Sequence, residues 1–137
     1  MPSLPPAIAE ERVAHARVGR LATVTPAGRP HIVPVCFALH DGRIVTAVDA
    51  KPKATTELAR LENVRATGRA GLLVDHYEED WTRLWWVRVD GPAAVLEDDA
   101  AIDALVAKYD QYRAQRPAGQ VIEIAPETWR SWIPSEP

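Results

Sequence analysis

Residues 18–48 hold three apolar runs separated by connections too short for a crossover helix, and this constrains the fold more than any other feature. Val18 to Val24 runs into Thr25-Pro26-Ala27-Gly28-Arg29, where an early proline and a late glycine suit a hairpin loop. Pro30 to Leu39, rich in Ile, Val and Phe, ends at Asp41-Gly42, a tight-turn signal, and Ile44 to Val48 follows as a third strand. Parallel neighbours need a dozen or more residues between them, so the order is an antiparallel meander. Pro34 has no N–H to give a ladder, so one side of the second strand is expected to be unpaired there.

The remaining elements follow from periodicity. Ala7 to Ala16 reads as a short helix after Pro5 and Pro6, with a thin apolar stripe of Ile8, Val13 and Ala16. Lys51 to Leu61 reads as a second helix of two or three turns. Leu72 to Asp75 begins a fourth strand, and Leu84 to Leu96 is a long fifth strand bent at Gly91. Asp98 to Tyr112 is the clearest helix, with Ile102, Leu105, Val106 and Tyr109 at i, i+3, i+4, i+7. Val121 to Ile124 is the last strand, ahead of a tail with Trp129 and Trp132. Six strands in hairpin order, with few helices, give a mainly β (α+β) fold: a closed or half-closed antiparallel barrel. With 137 residues there is room for one domain, residues 1–137, with its core in about 7–133.

Composition narrows the chemistry. A net charge of −3 argues against nucleic acid as the main partner. Cys36 is the only cysteine, which excludes intrachain disulfides and cysteine-based zinc sites and suits a reducing cytoplasm. No run approaches the ~20 apolar residues of a membrane span, and the opening residues lack the pattern of a secretion signal. The expected location is cytoplasmic, with no membrane partner. His15, His31, His40 and His76 have no metal-ligand spacing, so no metal is expected. Ser3, Ser131 and Ser135 have no nucleophile-elbow setting, which speaks against hydrolysis. Cys36 reads as an inert thiol inside a strand. No catalytic pair stands out, and the catalytic residues remain unassigned.

Three segments can bind something. Lys51 and Lys53 precede a helix start whose first amides, with Thr55 and Thr56, can face an anion; by itself such a pair is usually a solvated surface feature. Trp85 and Trp86 point to opposite faces of a regular strand, one to the core and one to a subunit or substrate side, although packing is the commoner role. Asp75 to Asp80 is an acidic run that reads as a solvated loop or a substrate-side lid. Five tryptophans are many for one small core and point to a homodimer.

Leu21-Ala22-Thr23, Gly28-Arg29-Pro30-His31 and Val33-Pro34-Val35 together resemble the opening hairpin of the pyridoxamine-phosphate-oxidase-like split barrels. Val45 to Asp49 followed by Lys51-Pro52-Lys53 resembles that family's third strand and phosphate segment. Leu72 to Asp75 and Trp85 to Gly91 are similar to its fourth and fifth strands. The likeness spans about residues 7–133 and is nearest the deazaflavin (coenzyme F420) branch; Thr67 to Gly71 departs from the family's usual Asn-Pro-Arg. The resemblance implies a six-stranded split β-barrel of the FMN-binding type and a homodimer with cofactor at the subunit interface. It implies that Val33, Pro34 and Val35 back the ring, and that Thr46, Ala47 and Val48 lie alongside, Thr46 bonding a ring or ribitol oxygen. Lys51, Lys53, Thr55 and Thr56 would hold the phosphate, and Arg60, Arg65 and Arg69 would offer charge to an anionic tail. The implied activity is hydride transfer from reduced F420 to an electron-poor small-molecule acceptor. Two alternatives stand beside it: an FMN enzyme of pyridoxamine-phosphate-oxidase or flavin-reductase type, and a non-catalytic module that binds cofactor or haem.

Overall fold

A computed structural model describes residues 2–48 and 55–135. Helix α1 (Pro6–His15) leads into strands β1 (Gly19–Val24), β2 (Pro30–Val35), β3 (Ala38–His40) and β4 (Arg43–Ala47). Helix α2 (Thr55–Thr67) precedes β5 (Arg69–His76) and the long β6 (Trp85–Glu97), with a short 3₁₀ turn at Trp81–Arg83 between them. Helices α3 (Asp99–Lys108) and α4 (Asp110–Ala114) come before β7 (Gln120–Ile124) and β8 (Thr128–Trp132).

The sheet has eight strands rather than the six expected, and it does not close. Its path runs β2-β1-β5-β6-β7-β4-β3, with β8 also pairing β6. Two departures account for the count. The run from Pro30 to Leu39 is broken at Cys36-Phe37, so its halves become β2 and β3 at opposite ends of the path. The tryptophan tail forms β8, laid antiparallel on β6 from Asp90↔Thr128 to Trp86↔Trp132. β2 is therefore an edge strand, which suits a proline in its middle.

β6 serves both halves of the sheet. Residues Trp85–Pro92 pair with β5, whereas Ala93–Glu97 pair with β7. On its other edge β6 pairs β8 up to Asp90 and β7 from Ala93, and across Gly91-Pro92 the opposing chain carries one extra residue: Ala93 faces Ile124 but Asp90 faces Thr128. A Cβ on Gly91 would sit 2.1 Å from the Ala125 carbonyl oxygen. Gly91 is thus required by space at this bulge.

Two cores flank the sheet. The larger gathers Leu21, Val35, Phe37, Ile44, Leu72, Val87, Val89, Ile122 and Ile124 with Leu4, Val13 of α1, and Leu61 and Val64 of α2. A smaller one packs Val45, Ala47 and Val121 against Ile102, Leu105 and Tyr109. β4 and β7 are consequently buried on both faces. The Asp98–Tyr112 helix is interrupted: α3 ends at Tyr109, whose φ of −122° and ψ of 122° are extended. α2 reaches further than expected, to Thr67. It stops at Gly68, whose positive φ of 70° and N–H bond to the Val64 carbonyl form a left-handed cap.

Candidate functional site

The break at Cys36-Phe37 makes a seam between the ends of the sheet, and side chains from three elements hold it. The Phe37 N–H donates to the Tyr109 hydroxyl oxygen at 3.1 Å. The Phe37 carbonyl accepts from Lys108 Nζ at 2.9 Å and lies 3.0 Å from the Tyr109 hydroxyl, which is equally close to the Arg17 carbonyl. One hydroxyl proton serves one of those carbonyls at a time. Across the seam, Thr46 Oγ1 donates to the Cys36 carbonyl at 2.8 Å. Backbone groups freed where the ladder breaks are thereby paired.

The seam is crowded with charge and aromatic faces. Lys108 Nζ lies 4.1 Å from the Phe37 ring centroid, and the Arg17 guanidinium lies 4.7 Å from that of Tyr109. Burial, and then the Arg17 charge, lower the Lys108 ammonium to about 8. Burial also pushes the Tyr109 phenol up. Cys36 is half-buried at the break rather than inside a strand.

The expected cofactor residues fall partly here. Val33 and Val48 are half-buried against the larger core, and Val35 is fully inside it. Pro34 is exposed on the opposite face of β2, across from Arg20. Thr46 is 3% exposed, its hydroxyl proton already given to Cys36. Ala47 turns away beneath α3. Thr46 is thus bonded at the seam and Val35 adjoins it in sequence, Val33 and Val48 pack on the larger core, and Pro34 and Ala47 face elsewhere. Thr55 and Thr56 open α2; Lys51 and Lys53 lie outside the described residues.

The two adjacent tryptophans do part. Trp85 packs on the core with the Arg12 guanidinium 5.0 Å over its ring, and Trp86 lies beside Arg88. Of the three arginines expected to meet an anionic tail, Arg60 is buried and Arg69 binds Glu127 at 2.8 Å; Arg65 is exposed in the last turn of α2. The acidic run does not form one loop. Asp75 belongs to β5 and pairs with Arg20 at 3.4 Å, His76 pairs with Glu78, and Asp80 caps the 3₁₀ turn through Thr82.

Sequence reasoning missed the residues that pin the seam, Arg17, Lys108 and Tyr109. It also missed a buried polar group under α2, where Asn63 Nδ2 donates to Thr23 Oγ1 at 3.1 Å. Beside Thr23 in the ladder stands His31, whose Nδ1 is buried without a hydrogen-bond partner. Arg60 and Asn63, three apart among Leu61 and Val64, were the available signal: polar residues on the face that α2 buries. Among the described residues no cluster of His, Cys, Asp and Glu could hold a metal, and no helix is long and apolar enough to cross a membrane.

Comparison with known proteins places this geometry. A conserved hypothetical protein of Mycobacterium tuberculosis superposes with a TM-score of 0.76 at 25% identity, covering 95% of this chain and 85% of its own. An FAD-binding protein of Mesorhizobium loti gives 0.69 at 23% identity, covering 94% of each chain. A heme storage protein of Vibrio cholerae also gives 0.69, at 15% identity, covering 96% of this chain and 94% of that one. No curated protein sequence matches significantly. The profile of the family described as pyridoxamine 5'-phosphate oxidase matches residues 4–133. Matched over nearly its whole length, the chain belongs to the pyridoxamine 5'-phosphate oxidase family.

Proposed function

We propose that the protein is an oxidoreductase that holds coenzyme F420 at the seam and delivers hydride to an electron-poor organic acceptor. The observation that carries this reading is the unpaired edge of β2 beside the seam. β2 pairs only with β1 among the described strands, so backbone groups along its other edge remain available to a polar ring margin. Val33 and Val48 offer half-buried apolar surface on the larger core, and the missing N–H of Pro34 weakens that edge as a site for another strand. These features fit a flat heteroaromatic ring. The segment of Lys51 and Lys53 ahead of α2 would receive its phosphate, the helix start adding amide donors.

Reduced F420 supplies the hydride when bound; the chain binds, orients and excludes water. Lys108 and Tyr109, whose protonation is shifted, are bonded to the Phe37 carbonyl and serve to hold the seam. A second copy completes the site in this reading. The outer face of β2, β1 and β5 exposes Ile32 (64%) and Val24 (44%) along with Ala22, beside half-buried Leu73. That is an apolar surface of the kind subunits cover.

FMN is the second reading, favoured by the FAD-binding protein that shares the fold. Both cofactors and haem are to be titrated into the full chain at low and high salt, followed by turnover with a panel of acceptors. The expected result is tightest binding of F420, with hydride transfer, and at least tenfold weaker binding after Lys51→Ala with Lys53→Ala. Each charge-assisted bond is worth about 1.5–3 kcal/mol. Tighter FMN binding at every salt concentration overturns the choice of cofactor. Haem binding without turnover overturns the enzyme reading.

A further inference from the structure

Helix α1 carries Ile8, Glu11, Arg12 and His15 at i, i+3, i+4 and i+7, so the four share one side of the helix. Ala9 and Val13 lie on another side and are buried in the larger core. Arg12 is half-buried, its guanidinium 5.0 Å from the Trp85 ring centroid, and it has neither a hydrogen-bond acceptor nor an ion-pair partner among the described residues. The other described arginines whose side chains lack an acceptor, Arg29, Arg65, Arg88 and Arg130, are exposed, where water serves their donors. Contact with an indole face satisfies none of the five guanidinium N–H groups. Arg12 is thus partly withdrawn from water with its donors unspent.

A cavity of about 400 Å³ opens between this side of α1 and Trp85, lined by the four helix residues, Ala16 and Trp85. That volume falls toward the small end of the roughly 300–1,000 Å³ of small-molecule sites. Trp85 packs on the larger core with Val87 and Val89 of its own strand, on the opposite face from Trp86 and Arg88. None of the residues that pin the seam, or that the proposed function sets against the cofactor, lines the cavity. We propose that the cavity binds a small monocarboxylate with an apolar body, a ligand distinct from the cofactor. The free edge of the Arg12 guanidinium takes the carboxylate in two parallel bonds, and His15, nearly one turn on, has a ring N–H to add. Ile8, Ala16 and half-buried Trp85 take the hydrocarbon, which the volume limits to one ring or a short chain. Glu11 on the same side repels a second negative charge, which selects a monoanion over phosphates and dicarboxylates.

The test uses the full chain, isothermal titration, and two probes of one shape: 3-phenylpropanoate and the neutral 3-phenylpropan-1-ol. The acid is expected to bind at least tenfold tighter than the alcohol. Arg12→Gln should keep the alcohol and lose that preference. Arg12→Lys, which keeps the charge without the fork, should fall between. Arg88→Gln, which removes the arginine beside Trp86 on the other face of the strand, should bind the acid as the wild type does. Chemical modification of the wild type by 2,3-butanedione reads the same contact even where Arg12→Gln does not fold. Saturating acid is expected to protect Arg12 and to leave Arg88 reactive, as peptide masses show. Equal affinity of the wild type for both probes overturns the proposal. So does unchanged acid binding in Arg12→Gln, or modification of Arg12 at one rate with and without the acid. Loss of acid binding in Arg88→Gln also overturns it, since the ligand would then sit on the other face.

Discussion

Replacing Gly91 with alanine probes the device that lets one strand serve two halves of the sheet. The added methyl carbon would lie 2.1 Å from the Ala125 carbonyl oxygen and 2.9 Å from the Glu127 nitrogen, both backbone atoms. Relief requires the bulge to retreat by about 1 Å, taking with it the bonds Ala125 N–H to Pro92 O (2.8 Å) and Glu127 N–H to Asp90 O (2.9 Å). Each lost bond costs about 1 kcal/mol, more where a buried group is stranded, and overpacking adds about 1–3 kcal/mol. The sum is roughly 3–5 kcal/mol, a large share of the 5–15 kcal/mol that stabilises an ordinary domain. For a chain of this size, that is a fall in melting temperature of roughly 10–20 °C. Gly71→Ala is the control on the neighbouring strand. There the methyl would meet the Asp90 Cβ at 3.5 Å and the Val89 carbonyl oxygen at 3.6 Å, ordinary contacts. It should be neutral or stabilise by about 0.5 kcal/mol through the unfolded chain. Circular dichroism melts of the three proteins decide the matter. A Gly91→Ala protein melting within about 3 °C of wild type refutes the bulge argument.

Two further predictions concern the seam. Tyr109→Phe removes the acceptor of the Phe37 N–H and should cost about 1–3 kcal/mol in urea unfolding, the penalty for a stranded buried donor. Lys108, lowered to about 8 by burial and by Arg17, binds its proton less readily folded than unfolded. Stability should therefore rise from about pH 8 as the folded lysine deprotonates while the unfolded one does not, the gain completing near its ordinary 10.5. The Tyr109 phenol, raised by burial, works in the opposite direction above pH 10, so pH 8–10 is the window to measure. Lys108→Met should flatten the urea midpoint across that window; an unchanged slope would show that Lys108 is not its source.

The hairpins were legible because their signals are local: Pro26 with Gly28, and Asp41-Gly42, mark turns wherever the chain goes. Gly91 stood out in its strand as a special position, although the carbonyl that demands a glycine there comes from residue 125. β8 was hidden because Trp129-Arg130-Ser131-Trp132 has no alternation of apolar and polar residues, and its strand character comes from pairing with β6. The break at Cys36-Phe37 sits inside an unbroken apolar run. Only Tyr109 and Lys108, about 70 residues later, show why the backbone turns there. The same contact ends α3 where the apolar spacing alone would carry the helix on to Tyr112. Of the candidate site, strand positions near the seam could be read from a pattern. Thr46 was named among them, but its bond to the Cys36 carbonyl was not legible, since Cys36 is a neighbour only after folding.

The placement of β7 between β6 and β4 also sets the order in which the protein can complete itself during synthesis. β4 finds its second partner only in residues Val121 to Ile124, Ala47 pairing with a residue 121 − 47 = 74 positions later. At about 5–20 residues per second, those 74 residues take roughly 4–15 s to emerge. Until then the two N-terminal hairpins must keep Ile44 and Val45, both fully buried in the finished sheet, without β7 to cover them. A nascent chain halted before Gln120 therefore presents a sticky apolar ribbon to the cell, and release of the final strands ends that exposure.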